Sequence, residues 1–88
     1  MFQIDWTQSA LDELTVLWLT GDSQLRQLIT EATHLIDQEL QANPHEQGES
    51  RGGEERIFFV YPLGVQFIIL HQPPSVRVLH VWDIRRNK

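Results

Sequence analysis

The chain has 88 residues, 41% of them hydrophobic, with seven Lys and Arg against twelve Asp and Glu and no cysteine. This describes a single domain over 1–88 that buries roughly 60 to 65% of its unfolded surface, without a disulfide framework or a thiolate nucleophile. The longest apolar run falls far short of the ~20 residues that cross a bilayer, and no signal-peptide pattern opens the chain, so a cytoplasmic protein without a membrane partner is expected.

Phe2-Gln3-Ile4-Asp5-Trp6 alternates apolar and polar residues, the pattern of a short half-buried strand. Thr7 or Ser9 then caps a helix, with Asp12 completing a partial capping box after Ser9. Ala10, Leu11, Leu14, Leu17 and Trp18 recur at steps of three and four and share one helical face. Gly21 suits a left-handed position at the helix end. Trp6 and Trp18 are expected in the core.

Asp22 or Ser23 caps a longer helix with the stripe Leu25, Leu28, Ile29, Ala32, Leu35, Ile36 and Leu40, and Asn43-Pro44 ends it because the residue before proline leaves the helical region. So short a connection between two amphipathic helices predicts an antiparallel helical hairpin whose apolar faces need a partner surface.

Residues 45–55 contain Gly48-Glu49-Ser50-Arg51-Gly52-Gly53-Glu54-Glu55. No Gly-Lys-Ser/Thr and no Gly-x-Gly-x-x-Gly spacing appears, and no helix follows to aim its N-terminus at a phosphate, so nucleotide binding is not indicated. The glycines free the backbone and the charges resist burial, which predicts a mobile loop. Residues 57–61, 65–70 and 76–82 are rich in β-branched and aromatic side chains and read as strands. Turns at Tyr61-Pro62-Leu63-Gly64, as type I, and at 71–75 make them an antiparallel meander. The expected class is α+β: an N-terminal strand and a helical hairpin packed on one face of a mainly antiparallel sheet, which the C-terminal meander completes.

The charges divide unevenly along this order. Residues 1–50 hold nine acids against Arg26 alone, whereas residues 51–88 hold six cations against three acids. Such asymmetry points to a charged partner for one of the two surfaces, or to acids that simply coat solvated helices.

The element order, the helix over Ala10 to Trp18, Asn-Pro followed by Gly-Glu-Ser-Arg, Arg56 opening a strand and the ending Val-Arg-Val-Leu-His-Val-Trp-Asp-Ile-Arg-Arg together resemble the RelE/ParE superfamily of toxins, the plasmid stabilisation proteins of bacterial toxin–antitoxin pairs. The resemblance spans essentially the whole chain. It implies a compact toxin silenced by a cognate antitoxin and acting either as a ribosome-dependent mRNA endonuclease, an mRNA interferase, or as an inhibitor of DNA gyrase. Two departures bear on that choice. Ribonuclease members carry an arginine in the second meander strand, where this chain reads Leu63-Gly64-Val65-Gln66-Phe67. Many members end in His-x-x-Arg, where Trp82-Asp83-Ile84-Arg85 keeps only the arginine. Ribonuclease members also tend to be strongly basic, and this chain is acidic.

Cleavage of RNA through its 2′-hydroxyl needs a base, cations on the phosphate and an acid for the leaving oxygen. Arg51, Arg56 and Arg85 can grip phosphates, but arginine does not deprotonate in proteins and cannot be the base. Glu49, Tyr61, His71 and His80 remain for proton transfer, and spacing singles out none of them. His80 follows Val76 and Val78 at the two-residue period of a strand, which predicts a core histidine as the alternative to a catalytic one. If the 45–55 loop swings Arg51 beside Arg56, Arg85 and Arg86, one cationic rim results. Trp82 beside these arginines suits a base or a protein partner, as does Arg86, unless the C-terminal run is only a solubilising tail. His34, His45, His71 and His80 lack the close pairings of zinc sites, so neither a metal nor a small-molecule cofactor is expected. Three readings follow from the resemblance: a toxin that docks on gyrase, an endoribonuclease with a rearranged arginine site, and a non-toxic relative whose apolar surface is covered by an antitoxin-like peptide.

Overall fold

The structure is a computed structural model that describes residues 1–85. The described elements are β1 (Gln3–Trp6), α1 (Gln8–Thr20), α2 (Ser23–Ala42), a 3-10 turn over Pro44–Glu46, β2 (Glu49–Ser50), β3 (Glu55–Val60), β4 (Leu63–His71) and β5 (Pro74–Asp83). The sheet order is β1-β5-β4-β3-β2, with β1 parallel to β5 and the other pairs antiparallel. This is the expected α+β arrangement of a helical hairpin on a mainly antiparallel sheet.

Both helices start where a side chain satisfies an orphan amide. Thr7 accepts from the Ala10 amide at 3.2 Å, and Asp22 accepts from the Leu25 amide at 2.9 Å. Asp12 makes no capping box and instead accepts from Gln8 at 2.9 Å. Gly21 is extended, with φ −92° and ψ 157°, not left-handed. Glycine suits this position for a different reason, because a Cβ there would lie 2.7 Å from Leu25 Cδ2 and 3.1 Å from the Leu17 carbonyl oxygen, so a larger residue would require the Leu25 side chain to shift.

Leu25, Ile29, Ala32, Ile36 and Leu40 of α2 meet Leu63, Val65, Phe67 and Ile69 of β4 and Val76, Val78 and Val81 of β5 in one core. Burying such side chains supplies about 1.5 to 3 kcal/mol each. The first helix contributes less: Ala10 is buried and Leu14 and Leu17 pack against the core, while Leu11, Val16, Trp18 and Leu19 stay exposed. Trp18 is therefore a surface residue. Its carbonyl accepts from Arg26 Nε at 2.8 Å, and that guanidinium lies 5.6 Å over its ring, tying the end of α1 to α2. Trp6 packs at the edge of the core and donates to Asp37 at 3.0 Å.

Residues 45–55 are not an unstructured connector. Gly48 has φ +68°, and a Cβ there would collide with the Ile57 carbonyl oxygen, so the chain lies flat against β3. Arg56 locks the bend by donating to the Gln47 carbonyl at 2.8 Å and the Gly48 carbonyl at 3.1 Å. The first hairpin turn sits one residue earlier than the type I reading, since Val60 pairs with Leu63, while the second lies within the expected 71–75, where His71 pairs with Pro74. Their centres, Tyr61-Pro62 and Gln72-Pro73, carry cis peptides, as type VI turns do.

Candidate functional site

One register slip decides which side chains reach the open face of the sheet. Gln66 pairs with His80 but Phe67 pairs with Val78, which leaves Leu79 as an extra, bulged residue. The buried series therefore runs Val76, Val78, Val81, and His80 falls on the opposite face from the first two. The expected core histidine is instead 53% exposed at its side chain. Its Nδ1 lies 3.1 Å from Glu13 Oε2 on α1, and Glu13 Oε1 accepts from the Val81 amide at 2.8 Å. β1 covers β5 only up to Val78, so Glu13 satisfies an edge amide that has no strand partner there. The hydroxyl of Thr7 closes the same edge by donating to the Val78 carbonyl at 2.9 Å.

The open face is a set of cross-strand rows. Phe59, Gly64 and Trp82 form one, and Ile57, Gln66 and His80 the next. Trp82 lies across Gly64 so closely that a Cβ there would be 2.7 Å from the indole, and Phe59 meets the Trp82 ring edge-on at 6.3 Å. Phe59 remains 54% exposed. Beside these rows Gln66 donates to Glu55 at 2.8 Å. The unbroken apolar run over 57–61 hid this outward role of Phe59, because a strand with one solvated face normally shows alternation.

The sequence-named cations occupy two ends of the sheet. Arg51 and Arg56 lie at the start of β3, while Tyr61 follows its end, about 17 Å away at 3.3 Å per residue. Arg85 belongs to the Tyr61 end, because the Ile84 amide donates to the Pro62 carbonyl at 2.9 Å. A single rim joining Arg51 and Arg56 to Arg85 does not form. Strand length sets that distance, and the folded 45–55 segment holds Arg51 beside Glu49, with the charged atoms 3.7 Å apart. Arg86 lies outside the described residues.

Arg85 makes a forked contact with Asp83, with Nη2 2.8 Å from Oδ2 and Nε 3.1 Å from Oδ1. Its pKa is raised above the ordinary arginine value, chiefly by that hydrogen bond and further by the charges of Asp83, Tyr61 and Asp22. Arg85, Tyr61, Asp22 and Leu25 line a shallow cavity of about 240 Å³ at the N-terminus of α2. The Asp-x-Arg spacing is a local signal that allows the Asp83–Arg85 pair, whereas nothing near in sequence marks the approach of Asp22. His71 stands at the other end of the sheet, beyond the start of β3, with Nε2 3.1 Å from Glu54 Oε2. Among the described residues, then, the candidate bases and cations are distributed over the sheet and do not converge on one point.

No family model matches the sequence, and no curated protein matches it. Solved structures match the fold closely at low identity. A chain of the chromosomal ParDE toxin–antitoxin system from P. aeruginosa is 15% identical, with 97% of this chain and 98% of that one covered and a TM-score of 0.75. A chain of the RelBE2 toxin–antitoxin complex from Mycobacterium tuberculosis is 13% identical over 93% of this chain and 90% of its own, with a TM-score of 0.72. The isolated E. coli RelE toxin is 16% identical over 100% of this chain and 89% of its own, with a TM-score of 0.69. With 93 to 100% of its length covered at TM-scores of 0.69 to 0.75, this chain has the fold of the RelE/ParE toxins.

Proposed function

We propose that the protein is a toxin-like member of a toxin–antitoxin pair that acts by docking on a macromolecule of the DNA gyrase kind and is silenced by a cognate antitoxin. One observation carries the preference for docking over chemistry: Arg51, Arg56 and Arg85 each face an acceptor on their own chain, and they lie at opposite ends of the sheet. Cleavage of RNA requires base, acid and phosphate grip within one site. Docking requires exposed apolar surface with a polar surround, which Phe59 and Trp82 beside Gln66 and His80 supply. The exposed apolar side of α1, with Val16 and Leu19 at 58% and 66%, suits the antitoxin.

An endoribonuclease is the second reading, and the shared cavity of Tyr61 and Arg85 favours it. There the phenol would move the proton while the guanidinium holds phosphate. Induced expression in a bacterial host, with transcript ends mapped by sequencing and purified gyrase assayed for supercoiling, separates the two. Docking predicts growth arrest, lost supercoiling and unchanged transcript ends. Cleaved transcripts with intact supercoiling overturn it in favour of the second reading, and undisturbed growth overturns both in favour of a non-toxic relative.

A further inference from the structure

We infer that His45, Glu54 and His71 form a binding site for a divalent transition metal of the zinc class. The three residues come from separate parts of the chain: the 3-10 turn, the connection between β2 and β3, and the end of β4. A main-chain bond holds two of them together, because the Ile69 amide donates to the Glu54 carbonyl at 3.1 Å and so sets Glu54 alongside the strand that ends in His71. The Phe2 ring meets His45 edge-on at 5.8 Å and supports it from the other side.

The ligand atoms converge. His71 Nε2 is 3.1 Å from Glu54 Oε2, His45 Nε2 is 3.8 Å from Glu54 Oε1, and all three residues offer a ligand atom within 4.8 Å of the others. Two ligand atoms bound to one tetrahedral zinc at its usual bond lengths lie about 3.3 Å apart. The His71–Glu54 edge already has that length, and a swing of the half-exposed His45 ring closes the rest. The imidazoles stack with centroids 5.4 Å apart and planes 17° from parallel, both nitrogens turned to the same carboxylate. As ion pairs alone, contacts so exposed contribute little. Two imidazoles and one carboxylate suit zinc, cobalt, nickel or copper, whereas magnesium and calcium favour oxygen ligands. Side-chain exposures of 49%, 47% and 54% leave the fourth position open to water. A bound ion would bolt the 3-10 turn and the β2–β3 connection to the β4–β5 turn.

The test is titration of the full chain, prepared without an affinity tag and stripped with chelator, with Zn²⁺ and separately with Co²⁺. The expected result is saturation at one ion per chain, intense visible absorption from low-coordinate cobalt, and a Tm that climbs with zinc concentration. His71→Ala and Glu54→Gln should each weaken binding by roughly tenfold or more, since even outer partners of a metal site are worth that much. His34→Ala, which removes an exposed histidine of α2, should change nothing. Circular dichroism of the metal-free variants should match the parent, because all three side chains are at the surface. Absence of saturable binding in the parent, binding that survives both His71→Ala and Glu54→Gln, or equal loss in His34→Ala each overturns the site.

Discussion

On the helix side of the sheet Val65, Phe67, Val76 and Val78 are sealed from water, while residues next to them on the same strands, Gln66 and Arg77, face the other way beside the half-open Phe59, Trp82 and His80. The first group packs in one core with Ala10 of α1 and the apolar stripe of α2, whereas in the second, among the described residues, a helix reaches only His80, through Glu13 of α1. Buried apolar packing lies on one face, and under the docking reading recognition falls to the other, so substitutions on the two faces should be felt in different measurements.

Three substitutions sharpen or break this contrast. Phe67→Ala, at the centre of the sealed face, should destabilise by about 3 to 5 kcal/mol, read as a lower denaturation midpoint. A small effect there would mean that the core is not packed as described. Gly48→Ala should lose about 1 to 3 kcal/mol from the left-handed backbone alone, with the clash against Ile57 added, and chemical denaturation would register it. An unchanged midpoint would show that the 47–50 bend is not held against β3. Phe59→Ser should stay within about 0.5 kcal/mol of the parent in stability, because it removes mainly an edge contact with Trp82. Growth arrest on expression should nonetheless weaken under the docking reading. If Phe59→Ser unfolds the chain as Phe67→Ala does, the two faces are not distinct in kind.

Much of the fold was legible because it rests on local rules. Asp22 marks the start of α2 through a bond to an amide three residues on, and the stripe from Leu25 to Leu40 faces the core because the helical period puts it there. Leu35, in the same stripe, is exposed, since it sits at the margin of that face. Leu11 and Trp18 of α1 failed in the same way. Sequence spacing shows that a helix has an apolar side, but its width against the sheet depends on how far α1 overlaps β5.

The candidate site was less legible. Alternation placed His80 with Val76 and Val78, and a single bulge at Leu79 turned it outward. Arg51 and Arg85 are both C-terminal cations in the chain, yet strand length and antiparallel pairing send them to opposite ends of the sheet. Two of the four histidines that sequence spacing dismissed as metal ligands, His45 and His71, reach one carboxylate, and the pairing of β3 with β4 brings Glu54 to His71.

The sequence by itself determined the helices, every strand but the two-residue β2, their order and the division of acid from base, because period, capping and turn chemistry act between residues a few positions apart. The tertiary structure alone decided the face of His80, the separation of the arginines and the meeting of His45, Glu54 and His71. Those outcomes depend on strand register, in which one inserted residue reverses a face and one pairing joins distant segments, and no short-range pattern encodes it.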